Sequence, residues 1–260
     1  MPSSSSTTPE FLFRACAAAT FRARYEIRTW CGCSAPLFTA LHGQKRFNRQ
    51  HLVRPDTELC IEGFPRSANS YAVLRLASAQ KRPLRISHHL HVPAQVQRAV
   101  RWNIPTLVLV RHPRDAVASL LIRHPELAIG QTLRAYTKFY RAILPLRDNF
   151  VLGNFEEIIN DLGPVVTAIN DRFGTTLIPP APEAGTDARI FRTLEQINRS
   201  QGSAHGEHAV SRPSFERGAR KCELLRRLSV GRPARLLATA EAIYERTIAQ
   251  GNAHWNSRAA

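Results

Sequence analysis

Between residues 58 and 123 the sequence alternates three times between a short apolar run and a segment with helical spacing. The pattern predicts strands at 58–63, 84–87 and 105–110 and helices at 69–80, 93–102 and 114–123. Strands and helices that take turns along a chain form parallel βαβ units with helices covering the sheet. We therefore predict an α/β fold with a central parallel β-sheet flanked by helices.

The rest of the chain extends this pattern toward the C-terminus. The segment "IGQTLRAYTKFYRAILPLRD" has apolar residues spaced by three and four, which predicts an amphipathic helix, and "NFVLGNF" predicts a further strand. Later helices are predicted at 164–173, 187–199 and 233–250. The stretch from 201 to 221 has no period.

The sequence predicts one principal domain with an N-terminal appendage. Residues 1–56 show no clear period, and we divide them into a flexible tail at 1–10 and an extension of unclear structure at 11–56. Residues 57–256 form the expected α/β domain. A chain of 260 residues is long enough to bury one substantial core.

The composition is strongly basic. Lys and Arg number 36 against 20 Asp and Glu, a formal net charge of +16, and only four of the basic residues are lysines. Guanidinium groups suit forked contacts with phosphate and sulfate, although arginine-rich surfaces also arise without a ligand. The five cysteines have no paired spacing, and no apolar run of about 18 residues occurs. We expect a reducing, cytoplasmic location and no membrane span.

The stretch "CIEGFPRSANSYAVL", residues 60–74, joins the first predicted strand to the first predicted helix. Backbone N–H groups at a helix N-terminus, with the helix dipole, form an anion site at the carboxyl end of a parallel strand. The loop supplies Arg66 and several hydroxyl and amide groups. It lacks the G-x-x-x-x-G-K-[ST] pattern of nucleoside triphosphatases, so a different anionic ligand is indicated.

A second segment, "TLVLVRHPRDAVASLLIRH", repeats this arrangement about 45 residues later. Arg111 ends an apolar strand, and Ser119 lies eight positions on, in the helix that follows. A guanidinium at a strand end and a hydroxyl in the next helix are able to converge on one phosphate. The alternative is an Arg111–Asp115 ion pair with Ser119 on the helix surface.

Both segments resemble motifs of sulfotransferases that use 3′-phosphoadenosine 5′-phosphosulfate (PAPS). The first is similar to the family's 5′-phosphosulfate loop, with Ala68 where glycine is usual, and the second to its 3′-phosphate motif. The resemblance implies a single-domain sulfotransferase fold related to the phosphate-loop proteins. It also implies that the cofactor is bound by Arg66, Ser67, Ala68, Asn69, Ser70, Tyr71, Arg111 and Ser119.

Three histidines lie between the two motifs, in "LRISHHLHVP". The stretch is similar to the family segment that carries the catalytic histidine, and His89 matches best, with Ser87 in place of the family's lysine. His88 or His91 is the alternative base, as is an acid such as Glu62. A cluster of three histidines also suggests a metal site, and a solvated loop is a third interpretation.

Near the C-terminus, "SRPSFERGARK" is similar to the family loop that holds the 3′-phosphate, which adds Arg217 and Gly218 to the expected cofactor contacts. The resemblance implies transfer of a sulfuryl group from PAPS to a hydroxyl or amine, without a metal. His89, with an unperturbed pKa near 6.5, would act as general base, and Arg66 would stabilise charge on the departing nucleotide.

The acceptor is expected to be a small molecule or a glycan, and the oligomeric state is left open. Two other classes compete with this interpretation. A kinase-like protein would bind a triphosphate with magnesium, and the missing Gly-Lys-Ser/Thr disfavours it. A nucleic-acid-binding protein could use the net charge, but no recognised motif supports nucleic acid as a partner.

Overall fold

The structure is a computed structural model that describes residues 8–181, 185–200 and 215–256. The strands are β1 (Leu59–Gly63), β2 (Ile86–Ser87), β3 (Thr106–Val110) and β4 (Val151–Asn154). The helices before the last strand are α1 (Thr8–Cys31), α2 (Ala35–His42), α3 (Arg46–His51), α4 (Asn69–Ala79), α5 (Pro93–Arg101), α6 (Pro113–Arg123) and α7 (Ile129–Ile143), which continues as a 3₁₀ helix over Leu144–Asn149. The remaining helices are α8 (Phe155–Asn160), α9 (Gly163–Phe173), α10 (Thr186–Ser200), α11 (Phe215–Leu228) and α12 (Gly231–Asn256).

The four strands form one parallel sheet in the order β2-β1-β3-β4. In the central pair, Gly63 at the end of β1 lies opposite Leu109 in β3. On the other side of β3, Val110 lies opposite Asn154. This arrangement confirms the predicted α/β class with a central parallel sheet and flanking helices.

Both faces of the central strands are covered. Leu107 and Leu109 pack with α4, α9 and α10 on one face, while Val108 and Val110 pack with α6, α7 and α12 on the other. All five residues of β1 and of β3 are buried. A parallel strand buried on both faces has a mostly apolar sequence instead of an alternating one, which is why these two strands were recognisable although Glu62 interrupts β1.

The N-terminal segment differs most from expectation. Residues 8–51 form three helices where the sequence showed no period, and α1 already includes residues 8–10, assigned to a flexible tail. Phe13, Ile27 and Trp30 of α1 are 76%, 56% and 63% exposed. Apolar residues on the exposed side hide the stripe by which an amphipathic helix is identified. In the described part of the chain no helix is both long and apolar enough to span a membrane.

Gly63 sets the distance between the two central strands at the edge where both motifs begin. A Cβ added at this residue would clash with the Leu109 carbonyl oxygen on the neighbouring strand. Gly130, near the start of α7, has room instead, since its nearest neighbours would lie 3.4 Å from an added Cβ. Substitutions at Gly63 and Gly130 therefore provide a matched test of the close approach of β1 and β3.

We expect Gly63→Ala to lower the free energy of unfolding by about 1–3 kcal/mol, because backbone atoms must move apart in a packed sheet. Gly130→Ala should leave stability unchanged or raise it by up to about 1 kcal/mol, since alanine favours helix. Urea unfolding followed by circular dichroism measures both. Equal stability of the two variants would contradict the close approach of β1 and β3.

Candidate active site

The two predicted motifs follow neighbouring strands at one edge of the sheet. β1 and β3 are adjacent and parallel, so their carboxyl ends lie side by side. The helices that follow them lie on opposite faces, α4 with the cluster around Leu107 and α6 with the cluster around Val108. A crevice opens at such a switch point in parallel α/β sheets, and ligands bind there.

The loop after β1 presents the uncapped N-terminus of α4 to this crevice. Ala68 is the N-cap residue, no side chain caps the helix, and its first turn has no acidic residue. The backbone N–H groups of that turn are therefore available to an anion, which the helix dipole also favours. Arg66 and Ala68 have φ angles of 73° and 67°. This left-handed conformation costs a non-glycine residue about 1–2 kcal/mol, and such strain is concentrated at functional sites.

Arg66 connects the two motifs. Its Nε donates a hydrogen bond of 3.0 Å to the hydroxyl of Ser119 in α6. In the other direction, Arg111 Nη1 donates to the backbone carbonyl of Arg66 at 3.0 Å. The structure thus brings Arg66, Arg111 and Ser119 together at the ends of two strands. Ser119 is buried against Arg66 and does not lie on the helix surface.

Aromatic residues position Arg111. Its guanidinium carbon lies 3.8 Å from the ring centroid of Phe155, the first residue of α8. Tyr136 donates from its hydroxyl to the Arg111 carbonyl at 2.7 Å, and Tyr140 donates to the Leu109 carbonyl at 2.8 Å. Sequence reasoning missed both tyrosines, because aromatic residues at helical spacing in α7 look like ordinary core positions.

The first turn of α4 contributes further polar groups. Asn69 donates from Nδ2 to the Phe64 carbonyl at 3.2 Å, and its buried Oδ1 has no partner among the described residues. Buried polar atoms are rarely left unpaired, so a donor on a ligand would complete this site. Ser67 is fully buried, and the Tyr71 ring packs in the core near Phe191. Ser67 and Tyr71 therefore offer the crevice mainly their backbone N–H groups.

A buried carboxylate holds the histidine segment in place. Glu62 of β1 is fully buried, and its two oxygens accept hydrogen bonds from the backbone N–H groups of Leu90 at 3.0 Å and His91 at 2.9 Å. His89 and His91 have φ angles of 72° and 50°, so this turn is strained. Burial raises the pKa of Glu62 to about 8, against the opposing effect of the backbone N–H groups. Glu62 is thus a positioning residue, inaccessible to an acceptor.

His89 lies next to the loop, and three other histidines surround it. Its Nε2 is 3.2 Å from the Ser70 hydroxyl, and His88 Nδ1 contacts His89 Nδ1. The His51 ring is 4.8 Å from that of His88 and 5.8 Å from that of His89, centroid to centroid. His91 Nδ1 hydrogen-bonds to the Gly63 carbonyl at 2.9 Å. Sequence reasoning missed His51, since it comes from a segment without a period.

Burial keeps these histidines neutral. It lowers the pKa of His89 to about 4, and the charges of His51 and Arg123 act in the same direction. The pKa values of His88 and His91 are lowered to about 3, again mainly by burial. The unperturbed value near 6.5 expected for His89 is therefore wrong for this site. No group of His, Cys, Asp or Glu in the described ranges has the geometry to hold a metal ion.

The predicted C-terminal phosphate loop is wrong for residues 215–221, because they belong to helix α11. Arg217 and Gly218 therefore lie in its first turn, and residues 201–214 are outside the described ranges. α11 packs against α6, where Lys221 Nζ lies 2.5 Å from Asp115 Oδ1. Lys221 is thus an ion-pair partner of Asp115. Charged residues and Gly218 obscured the helical period of this segment.

Comparisons with known proteins find a likeness among solved structures but none among sequences. No family model matches the sequence, and no curated protein matches it. Among solved structures, the chain is similar to mouse sulfotransferase SULT7A1 complexed with PAP, at 12% sequence identity and a TM-score of 0.39. The match covers 76% of this chain and 94% of that one. Activity and ligand are therefore argued from the geometry of this chain.

The left-handed conformation of Ala68 provides a direct test of the loop. Ala68→Gly should raise the free energy of unfolding by about 0.5–1 kcal/mol, because glycine adopts this conformation without a clash. The matched control is Ala72→Gly, in the interior of the same helix and fully buried. It should lower stability by about 1 kcal/mol. Urea unfolding of both variants is the measurement, and a loss of stability in Ala68→Gly would contradict the loop conformation.

Proposed function

We propose that this protein is a sulfotransferase that transfers a sulfuryl group from PAPS to a hydroxyl or amine of an acceptor. The observation that carries the proposal is the contact of Arg66 with both motifs, through Ser119 and Arg111. Two anion-binding elements at one switch point suit a nucleotide with phosphate groups at both its 3′ and 5′ positions. The likeness in motif sequence supports the same ligand.

The residues of the crevice divide between the two ends of this nucleotide. The uncapped first turn of α4, with Arg66, would hold the 5′-phosphosulfate. Arg111 and Ser119 would hold the 3′-phosphate, because they lie at the end of the neighbouring strand. The unpaired Oδ1 of Asn69 is a buried acceptor, so it would accept from a hydroxyl or amino group of the nucleotide and not contact its anions. Arg217 and Gly218 remain proposed contacts from the start of α11.

His89 is the proposed general base. Its imidazole is neutral at pH 7, because its pKa is lowered to about 4, and it therefore has a lone pair with which to accept the acceptor's proton. Bound PAPS supplies the sulfuryl group, whose sulfur gains a bond to the acceptor oxygen or nitrogen and loses its bond to the phosphate oxygen. Arg66 is placed to stabilise the negative charge that develops on that phosphate.

The competing functions have less support in the site. A triphosphate-binding loop has Gly-Lys-Ser/Thr at its helix start, where this chain has Ala68, Asn69 and Ser70. The hydroxyl is therefore present, but the lysine that contacts the phosphates is missing. A nucleic-acid interface needs a broad basic surface. Arg66 and Arg111 instead lie together in one crevice. The sulfotransferase proposal accounts for both the paired anion sites and the adjacent histidine.

Arg111→Ala should weaken binding of adenosine 3′,5′-bisphosphate by about 1.5–3 kcal/mol, the range for a hydrogen bond to a charged group. Binding of adenosine 5′-phosphate should change little, since it lacks the 3′-phosphate. Isothermal titration calorimetry with both nucleotides is the measurement. The control is Arg114→Ala, three residues along and exposed. Equal losses for the two nucleotides would show that Arg111 does not contact the 3′-phosphate.

His89→Ala should lower turnover by roughly 10²- to 10⁴-fold and leave bisphosphate affinity unchanged, because a general base contacts the acceptor and not the nucleotide. His88→Ala and His91→Ala, with the same loss of volume, should have smaller effects. In the wild type, kcat/KM should fall only as pH drops through about 4, where His89 becomes protonated. Near-normal turnover of His89→Ala, or an acid limb near the unperturbed value of about 6.5, would contradict this role.

A further inference from the structure

A large basic cavity borders the histidine cluster, with His51 and His88 in its lining. Its volume is about 720 Å³, within the range of roughly 300–1,000 Å³ that small-molecule sites occupy. Residues of α3, the following loop and β2 line it, and none of the loop residues 64–70 does. The cavity therefore meets the crevice in which the nucleotide would bind at the histidine cluster.

The cavity lining has an excess of positive charge. Four arginines contribute to it, Arg46, Arg49, Arg54 and Arg85, and Asp56 is the one acid among the described lining residues. Asp56 is already occupied, because its carboxylate lies 3.7 Å from Arg85 Nε. In the ranges that the structure describes, the guanidinium groups of Arg46 and Arg49 make no hydrogen bond or ion pair. An anionic ligand could therefore neutralise the charge of these two guanidinium groups.

The inner wall of the cavity is continuous with the proposed catalytic base. His51 and His88 both line the cavity, and both rings contact that of His89, at 5.8 Å and 4.5 Å between centroids. His89 in turn reaches Ser70 at the start of α4. A molecule bound in the cavity would therefore have one end at the histidines and the other among the arginines.

We propose that this cavity binds the acceptor and that the acceptor is an alcohol carrying an anionic group, a carboxylate or a sulfate. The inference rests on the proposed sulfotransferase function. The anionic group would lie among Arg46, Arg49 and Arg54, and the reacting hydroxyl would lie at the histidines. Its oxygen forms the new bond to sulfur, the sulfur–oxygen bond to the nucleotide phosphate breaks, and the hydroxyl proton passes to His89.

A pair of probes that differ only in the anion tests this inference. 4-Nitrophenyl β-D-glucuronide carries a carboxylate where 4-nitrophenyl β-D-glucoside carries a hydroxymethyl group. Calorimetry in the presence of adenosine 3′,5′-bisphosphate should show at least about tenfold tighter binding of the glucuronide, and raising the salt concentration should reduce this preference. The double variant Arg46→Gln/Arg49→Gln should reduce it by about three- to tenfold, as expected for two exposed charges.

The control is Arg101→Gln/Arg141→Gln, which removes the same charge from two exposed arginines outside the cavity and should keep the preference. Thermal melting verifies that both double variants are folded. Bisphosphate binding is measured on the same preparations. This distinguishes a failure of the sulfotransferase proposal from a failure of the acceptor proposal. A wild-type protein that does not bind adenosine 3′,5′-bisphosphate would overturn the sulfotransferase function. Normal bisphosphate binding with no glucuronide preference, or with a preference that survives in Arg46→Gln/Arg49→Gln, would overturn the anionic acceptor alone.

Discussion

The arrangement of the site depends on the left-handed turn at Arg66. With φ at 73°, the Arg66 carbonyl accepts from Arg111 while its guanidinium reaches Ser119, so one residue links β1 to both the end of β3 and the helix after it. The absence of a side chain at Gly63 lets the two strands approach closely enough for this contact. Strain in the loop is offset by the packing of a sheet that is buried on both faces. The crevice is thus preorganised for an anion before any ligand binds.

A second strained turn is built on the same strand. Glu62 immediately precedes Gly63, and it holds the backbone of Leu90 and His91 so that the His89 side chain faces the α4 N-terminus. The loop after β1, residues 64–68, and the histidine turn therefore share β1 as their common support. Burial of the histidines has a chemical consequence as well, since it keeps them neutral over the physiological pH range. Neutral imidazoles next to Arg66 also avoid repulsion between like charges.

Sequence alone was sufficient for the sheet and for the residues at its edge. β1 and β3 were recognisable as mostly apolar runs, and the motifs after them indicated that Arg66, Arg111 and Ser119 lie near one another. The role of Glu62 was not predictable, because a single acid in a strand does not reveal which backbone groups it contacts. The position of His51 depends on α3, whose sequence has no amphipathic stripe. The pKa of His89 follows from burial, which only the packed structure determines.

The central claim is that the crevice binds a nucleotide with separate 3′ and 5′ anions and needs no metal to do so. Thermal unfolding in the presence of a chelator tests it most directly, with adenosine 3′,5′-bisphosphate compared with ATP plus excess magnesium and with a single-stranded oligonucleotide. The account predicts that the bisphosphate stabilises the fold, by about 2.7 kcal/mol at a hundredfold excess over its Kd. Stabilisation by ATP and magnesium or by the oligonucleotide, with no shift from the bisphosphate, would contradict it.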